Sequence, residues 1–448
     1  MIPKKDKRPV VLSFLLIALS VVFRASCLGK SNYDMTEYNL PWYRALAEGG
    51  IADTLATNFT NYNPPYTYLL ALAAFTKNFL PPLIAVKLIP TFFDLIGAFL
   101  VYKLARLKRG SSLSLLAAAV YFAAPSVMLN SSYWGQADSI YTTMLLASLY
   151  LILKEKPASA MAAFGLSFAV KAQAVFFAPF LAILLLQKQI RWKYAFVVPV
   201  VYLLAVLPVV ALGRPLMDTL LVYVNQANMV EKLSANAPNL YYLFPYDAYE
   251  RVLPFGLAAA IVLISLWIFS SAKNAKLSDA QTLVFYAFIS TALTPFLLPK
   301  MHDRYFYPAD VFSIALALHD PRFWFLPIIY QALSTASISV FLFNTSADVV
   351  VFAAIANSLT IAYVLREQWK LEGWKTPRPA ANFFFSWLVA ALVPFLILGI
   401  SAKTALTPLY FRIEYNIQDA LNKPQPLSKY DLILKSSNSI KYLTGDKE

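Results

Sequence analysis

Two basic residues and a histidine stand close together near residue 300. The segment 299–305 reads Pro-Lys-Met-His-Asp-Arg-Tyr, which places Lys300, His302 and Arg304 at alternate positions. A guanidinium makes forked, charge-assisted hydrogen bonds to phosphate oxygens, and lysine supplies a point charge. The segment therefore predicts a phosphate or diphosphate site. The alternative is a positive loop that lies beside lipid headgroups.

A carboxylate follows the first apolar stretch of the chain. Asp34 stands shortly after that stretch, and Glu37 follows one helical turn later. A carboxylate that is held at a membrane face can act as general base for a hydroxyl acceptor. We therefore predict Asp34 as a candidate base, with Glu37 on the same helix face. The alternative is that Asp34 is an ordinary helix N-cap.

A short polar segment places Trp134, Gln136 and Asp138 at the start of a later apolar stretch. The run Trp-Gly-Gln-Ala-Asp favours a role in ligand binding. Asp138 at the mouth of a helix is also typical of an N-cap, which is the simpler interpretation.

Lys171 and Gln173 interrupt the apolar stretch 168–180. A lysine in such a stretch must either extend its ammonium to the interface or contact an anion. A phosphate is a natural partner, and a structural carboxylate such as Asp94 would also serve.

The run 61–66 contains two consecutive prolines, which predict an extended approach to the next helix. The ring of Tyr62 in this run either stacks on a sugar or belongs to the aromatic belt of the membrane interface.

The composition is that of a membrane protein. Of the 448 residues, 59% are hydrophobic and only 14% are charged, whereas soluble domains carry about 45–50% and about 25%. The net charge of +14 is explained by basic cytoplasmic loops rather than by nucleic-acid binding. The one cysteine, Cys27, excludes an intrachain disulfide, and the two histidines cannot build a histidine-rich metal site. No metal site is predicted.

The apolar stretches predict an all-α polytopic protein with about 11–13 membrane-spanning helices. Residues 1–401 are predicted to form the membrane domain, with outer loops at 29–82, which contains an interfacial helix, and 213–254. Residues 402–448 are predicted to form an extramembrane tail. The predicted spans lie near residues 10–28, 83–104, 112–129, 138–153, 158–170, 174–187, 194–212, 254–272, 279–298, 305–318, 322–342, 348–365 and 382–401.

The basic residues predict the orientation of the chain in the membrane. They concentrate in alternate loops, which the positive-inside rule assigns to the cytoplasm together with the N-terminus. The polar segments described above then fall on the outer face. The loop at 299–305 is basic although it lies on that face, which favours a functional role for it.

These motifs, in this order, resemble those of the GT-C glycosyltransferases, polytopic enzymes that use lipid-phosphate-linked sugars. The resemblance is strongest to prokaryotic mannosyltransferases similar to the enzyme that adds the second mannose of GPI anchors. The resemblance to the asparagine-linked-glycan glucosyltransferases is weaker. It covers residues 30–310, and the motifs that carry it are Asp34, Tyr62-Asn63-Pro64-Pro65, Trp134-Gly135-Gln136-Ala137-Asp138, Lys171-Ala172-Gln173, Ala237-Pro238-Asn239-Leu240 and Lys300-Met301-His302-Asp303-Arg304.

The resemblance implies a GT-C-like bundle and an inverting transfer of a hexose from a polyprenyl phosphate to a hydroxyl of a glycan or lipid acceptor. Mannose is favoured and glucose comes second, and neither a metal nor a cofactor is required. Asp34 is implied as the base. The residues implied near the donor phosphate are Lys171, Lys300, His302 and Arg304. The residues implied in substrate binding are Glu37, Tyr62, Trp134, Gln136, Asp138, Gln173 and Asn239.

The chain departs from the family pattern at two points. Asp303 stands where the family usually carries glutamate, and Glu37 stands three residues after Asp34 where many members have a paired acidic motif.

Two other classes of function remain open, a lipid-linked sugar transporter or flippase and a non-catalytic membrane assembly subunit. A transporter predicts internal symmetry and polar groups near the bilayer midplane. The transferase hypothesis instead requires Asp34 and Arg304 to lie at the same face.

Overall fold

The computed structural model describes residues 7–227, 230–245 and 248–373, all within the compact unit Met1–Phe384. It is 77% helical with almost no strand, which confirms the all-α class. The α-helices are α1 Arg8–Cys27, α2 Leu40–Glu48, α3 Ile51–Leu55, α4 Pro64–Ala74, α5 Pro82–Ala105, α6 Ser111–Phe122, α7 Pro125–Met128, α8 Asp138–Leu153, α9 Pro157–Val170, α10 Ala178–Leu186, α11 Val197–Ala211, α12 Leu216–Leu220, α13 Val222–Ala227, α14 Tyr249–Asn274, α15 Ala280–Leu297, α16 Tyr307–His319, α17 Leu326–Phe343 and α18 Asp348–Leu371.

Shorter elements join these helices. The π-helical turns are Met35–Asn39 and Leu129–Trp134, and the 3-10 helices are Ala172–Phe177, Trp192–Phe196, Leu240–Leu243 and Pro321–Phe323. Two short strands, β1 Ser234–Ala235 and β2 Met301–His302, pair in parallel.

Each predicted span up to residue 365 falls on a helix. Among the described residues, seven helices are long and apolar enough to cross a membrane, or eight if a bent pair counts as one span. The seven are Arg8–Cys27, Pro82–Ala105, Trp192–Ala211, Tyr249–Asn274, Ala280–Leu297, Pro321–Phe343 and Asp348–Leu371. A multi-pass membrane protein is thereby confirmed, while the predicted count of about 11–13 spans and the GT-C-like arrangement stay predictions. The predicted span 382–401 and tail 402–448 lie outside the described residues.

The bent pair directs a segment into the interior of the bundle. The helical stretches Ser111–Phe122 and Pro125–Trp134 meet at 51°, because proline disfavours a helical residue before it and so ends the first stretch. The second stretch closes at Gly135, whose φ of 80° is left-handed. A Cβ there would lie 2.4 Å from Met35 Cε, so this turn requires glycine.

The loop 29–82, which the sequence assigns to the outer face, is helical as predicted. It contains the π-helical turn, α2, α3 and α4. The prolines begin α4 after an extended Asn63 with ψ of 151°, and the Asn63 side chain donates to the Ala169 carbonyl at 2.8 Å. The loop is therefore anchored to the end of α9, directly beside Lys171.

A buried arginine ties the first helix to the bent pair. Arg24 Nη1 lies 2.7 Å from Asp94 Oδ2 and donates to the hydroxyls of Ser131 and Ser132, each at 2.8 Å. Its Nη2 donates to the Phe122 carbonyl at 2.9 Å. Because Ser131 and Ser132 belong to the turn that ends in Trp134, this network fixes the position of that turn.

We expect Arg24→Gln to destabilise the fold by about 3–5 kcal/mol, because it leaves a buried carboxylate without its partner. Thermal unfolding of purified protein in detergent measures the effect. In the double variant Arg24→Gln/Asp94→Asn the uncompensated charge is gone, so part of the loss should be recovered. An Arg24→Gln variant that unfolds at the wild-type temperature would contradict this role.

Candidate active site

Asp34 is held by two side chains from the bent pair. Its Oδ2 accepts hydrogen bonds from Trp134 Nε1 at 2.9 Å and from Gln136 Nε2 at 2.6 Å. Asp34 makes no side-chain cap hydrogen bond, so the N-cap alternative is wrong. Its helix is instead capped by Asn32, whose Oδ1 accepts from the Met35 backbone N–H at 3.1 Å. The carboxylate is thus oriented by Trp134 and Gln136.

Arg304 lies between three carboxylates. Its Nη1 is 4.0 Å from Asp34 Oδ2 and 3.8 Å from Asp303 Oδ1, and its Nε is 3.6 Å from Asp138 Oδ2. These are ion pairs at long range, and the buried Nε has no hydrogen-bond partner among the described residues. The guanidinium is therefore held mainly by charge, and part of its donor fork is available to the oxygens of a ligand.

Asp138 and Lys171 form a close buried ion pair. Lys171 Nζ lies 2.5 Å from Asp138 Oδ1, and Asn130 Nδ2 donates to the other carboxylate oxygen at 2.9 Å. Asp94, the structural partner considered for Lys171, pairs with Arg24 instead. Lys171 occupies the extended break between α9 and the following 3-10 helix, with φ of −154°. This break brings the ammonium into the same cluster as Arg304.

Two aromatic rings lie beside the cluster that Asp34, Asp138, Lys171 and Arg304 form. Arg304 Cζ lies 5.0 Å from the centre of the buried Trp134 ring. Tyr62 donates its hydroxyl proton to Gln136 Oε1 at 3.4 Å, and its ring centre is 6.0 Å from Lys171 Nζ. Burial raises the pKa of Tyr62 to about 12, so its hydroxyl stays protonated and acts as a neutral hydrogen-bond donor.

His302 is a neutral residue beside this cluster. Burial, followed by the positive charges of Arg304 and Lys171, lowers the pKa of His302 to about 3. Its ring packs against Tyr305 with centres 5.1 Å apart. Gln173, on the 3-10 helix after Lys171, has a buried Oε1 without a hydrogen-bond partner in the described part of the chain.

Three of the predicted site residues lie outside the cluster of Asp34, Asp138, Lys171 and Arg304. Glu37 is exposed. The Lys300 ammonium donates to the Tyr249 hydroxyl at 2.8 Å. Asn239 caps a 3-10 helix by accepting from Tyr242 N and donates to the Leu298 carbonyl at 3.0 Å. Asn239 thus supports the start of the 299–305 segment from behind.

A backbone contact fixes the same segment. Lys300 has a left-handed φ of 63°, and its N–H donates to the Leu233 carbonyl at 2.7 Å. The adjoining strands β1 and β2 pair in register. The loop 213–254 therefore holds the backbone of residues 300–302, directly before Arg304.

Sequence reasoning missed three residues of the site. Asp303 was noted only as a departure from a family pattern, and Asn130 carries no sequence signal that would connect it to Asp138. Asn32 before a helix is a recognisable capping signal, yet nothing in the sequence predicts that its Nδ2 donates to the Tyr133 and Trp134 carbonyls.

Asp303 supplies a pH-dependent prediction. Burial is the main cause that raises the pKa of this carboxyl to about 7, while Arg304 opposes the shift and Asp34 adds to it. The unfolded carboxyl releases its proton near 3.8, whereas the folded one keeps it until about pH 7. The unfolded state therefore binds fewer protons in this window, and stability falls as pH rises.

We accordingly expect wild type to lose stability relative to Asp303→Asn between about pH 4 and pH 7, by at most about 1.4 kcal/mol per pH unit. Unfolding temperatures across that range measure the difference. Asp348→Asn, at an exposed carboxyl, is the matched control. A constant difference between wild type and Asp303→Asn would contradict the shift.

Comparisons with known proteins assign the chain to no family. No protein-family model matches the chain, and a search of curated proteins finds no match. Among the described residues, no group of three or more His, Cys, Asp or Glu side chains is arranged to hold a metal ion. The chain is a multi-pass membrane protein with a compact cluster of acidic, basic and aromatic side chains formed by residues far apart in its sequence.

Proposed function

We propose that the protein transfers a hexose from a polyprenyl-phosphate-linked donor to a hydroxyl acceptor on a glycan or lipid, with mannose favoured and glucose second. The observation that carries the proposal is the approach of Arg304 to Asp34 at 4.0 Å, beside the buried Asp138–Lys171 pair. A candidate base and two candidate phosphate ligands thus stand within reach of one substrate. The transferase hypothesis requires this proximity.

Asp34 acts as the general base. It takes the proton of the acceptor hydroxyl while that oxygen forms a bond to the anomeric carbon and the bond from that carbon to the phosphate oxygen breaks. The reaction inverts the anomeric carbon and releases the polyprenyl phosphate. The hydrogen bonds of Trp134 and Gln136 to Asp34 fix the direction of the carboxylate, and a fixed base is more effective than a mobile one.

Arg304 and Lys171 stabilise the departing phosphate. Preorganised positive charge in a site with little water lowers the energy of a developing anion. The long Arg304–carboxylate distances of 3.6–4.0 Å leave room for closer contacts to phosphate oxygens. His302, which is neutral, contributes a hydrogen bond, and Lys300 adds positive charge at the edge.

The remaining predicted residues bind the sugar and the acceptor. Tyr62 and Trp134 offer aromatic rings on which sugars stack, and the unpartnered Gln173 Oε1 accepts a hydrogen bond from a hydroxyl. Glu37, which is exposed, contacts the acceptor.

The proposed orientation places the N-terminus in the cytoplasm and this site on the outer face. In a Cys27→Ser background, a Glu37→Cys variant should react with an impermeant thiol reagent added to intact cells. If Glu37→Cys is labelled only after cell lysis, the chain has the opposite orientation.

The assay uses purified protein in detergent with a membrane lipid extract as acceptor and either radiolabelled polyprenyl-phosphate-mannose or its glucose counterpart. Transfer from mannose supports the favoured donor, and transfer from glucose alone would correct the sugar. No transfer from either donor would contradict the proposal.

A lipid-linked sugar flippase is the second candidate. It is favoured by the broken helices at the bent pair and at Lys171, since discontinuous spans are typical of transporters. A flippase would move the intact donor between leaflets without forming a new glycosidic bond.

A further inference from the structure

Arg214 lies where α11 ends and the second outer loop begins. Gly213 has a left-handed φ of 115°, its N–H donates to the Val210 carbonyl and the Arg214 N–H donates to the Val209 carbonyl, both at 3.0 Å. This pair of bonds is a Schellman motif, which turns the residue after the glycine back onto the helix. An apolar residue usually occupies that position for packing, so an arginine there needs another explanation.

The Arg214 guanidinium is buried and forms no ion pair with any described residue. The residue is 2% exposed, and its Nε and Nη1 have no hydrogen-bond partner in the described part of the chain. Tyr68 and Asp218 lie near enough to influence its charge, but the Asp218 carboxylate accepts instead from Asn58 Nδ2 at 3.0 Å. Arginine keeps its charge in proteins, and buried charges are normally paired. The described residues therefore leave this guanidinium without the close anion that it needs.

The surroundings of Arg214 are those of a membrane interface. The short helices α12 and α13 follow it, and large apolar side chains around it remain exposed. These are Leu212, Leu216, Met217, Leu221 and Val224. Short helices that follow a membrane span and expose apolar side chains are typical of segments that lie on the bilayer surface.

Arg214 and the short helices α12 and α13, which form a rim at this end of the bundle, adjoin the candidate active site. The Asn58–Asp218 hydrogen bond joins it to the first outer loop, and Gln226 Nε2 donates to the Asn61 carbonyl, next to Tyr62. Arg214 therefore lies at the same end of the bundle as Asp34, and the described residues that bind Asp34 are Trp134, Gln136 and Arg304 rather than Arg214. An anion that approaches Arg214 through an apolar, membrane-facing surface comes with a hydrophobic chain.

We propose that Arg214 binds the phosphate of a membrane lipid headgroup at the rim of the bundle, with the lipid chains against the exposed apolar side chains of α12 and α13. The guanidinium carries paired N–H donors that can make the two-pronged contact that suits a phosphate, and its Nε and Nη1 have no hydrogen-bond partner among the described residues. The site is separate from Lys171 and Arg304, and it does not depend on the transferase proposal.

The test measures how lipids stabilise the purified full chain in detergent, since a ligand that binds the folded state raises the unfolding temperature. The probes are dioctanoyl phosphatidic acid, dioctanoylglycerol, which lacks the phosphate, and inorganic phosphate, which lacks the chains. We expect only phosphatidic acid to stabilise wild type. We expect the phosphatidic acid concentration that gives half of the maximal stabilisation to be about tenfold or more higher for Arg214→Gln than for wild type.

Two further variants make the result specific. Arg191→Gln removes an exposed arginine near the opposite end of the same span and should respond to lipid like wild type. Arg214→Lys keeps the charge but loses the fork, so we expect weaker binding than in wild type. Without lipid, Arg214→Gln should unfold at the wild-type temperature or above it, because it removes an unpaired buried charge.

Equal lipid dependence of wild type, Arg214→Gln and Arg214→Lys would overturn the proposal. An equal response to inorganic phosphate alone would overturn the assignment to a lipid. If Arg214→Gln unfolds far below wild type in the absence of lipid, the arginine has a structural partner and the proposal fails.

Discussion

Replacing Asp34 by asparagine is expected to reduce hexose transfer by about 10²–10⁴-fold, the range that general-base catalysis contributes. Asparagine has the size of aspartate and its oxygen can still accept from Trp134 and Gln136, which donate to Asp34 Oδ2 in wild type. The fold should therefore persist while the base is lost. Initial rates of label transfer, together with the unfolding temperature, measure both effects.

A control variant separates this loss from a general effect of removing a charge. Asp53 is an exposed aspartate in the same outer loop, and Asp53→Asn should transfer at the wild-type rate. Full activity in Asp34→Asn would remove Asp34 from the role of base. A pH profile adds a second criterion, since the residual activity of Asp34→Asn should rise with pH as the acceptor loses its proton unaided.

The second large effect is expected at Arg304. Arg304→Gln should lower kcat by about 10²–10³-fold, the loss seen when a preorganised donor to a developing anion is removed. Its contribution is made mainly as the phosphate departs, so kcat should fall by more than KM rises. The variant leaves three carboxylates without their shared cation, so we also expect a lower unfolding temperature.

Two variants distinguish loss of chemistry from loss of fold. Arg304→Lys keeps the positive charge among the carboxylates, so it should recover much of the stability but little of the rate, because lysine lacks the fork. Lys300→Gln removes a cation from the same segment that is already bonded to Tyr249, and it should have a smaller effect. Equal losses in Arg304→Gln and Lys300→Gln would contradict the central position given to Arg304.

The helical class and most span positions follow from sequence because the membrane imposes one simple rule. A backbone in hydrocarbon must satisfy its own hydrogen bonds, so long apolar stretches become helices. This rule explains why Arg8–Cys27 and Pro82–Ala105 fall on predicted spans. It gives no information about how short apolar helices such as Asp138–Leu153 sit relative to the bilayer.

The partners of individual charges could not be predicted in the same way. Lys171 had both a phosphate and Asp94 as candidate partners, and the structure pairs it with Asp138, while Asp94 pairs with Arg24. Which carboxylate meets which cation depends on the rotation of each helix about its axis. Apolar patterning fixes that rotation weakly in a membrane, where both faces of many helices are apolar.

The proximity of Asp34 to Arg304 was a condition set by the transferase hypothesis rather than something that the sequence could establish. It depends on the left-handed turn at Gly135 and on the left-handed backbone of Lys300. Glycine is a recognisable signal for such a turn, but a lysine with positive φ carries none. The roles of Asp303 and Asn130 likewise depend on tertiary contacts that have no local signature.

The most direct test of the transferase proposal is to reconstitute the wild-type protein in liposomes with donor labelled separately in its sugar and in its polyprenyl phosphate. We predict that labelled hexose appears in a new glycosidic product while polyprenyl phosphate is released in equal amount, and that Asp34→Asn carries out both far more slowly. Intact donor that moves between leaflets without release of polyprenyl phosphate would contradict the proposal and favour a flippase.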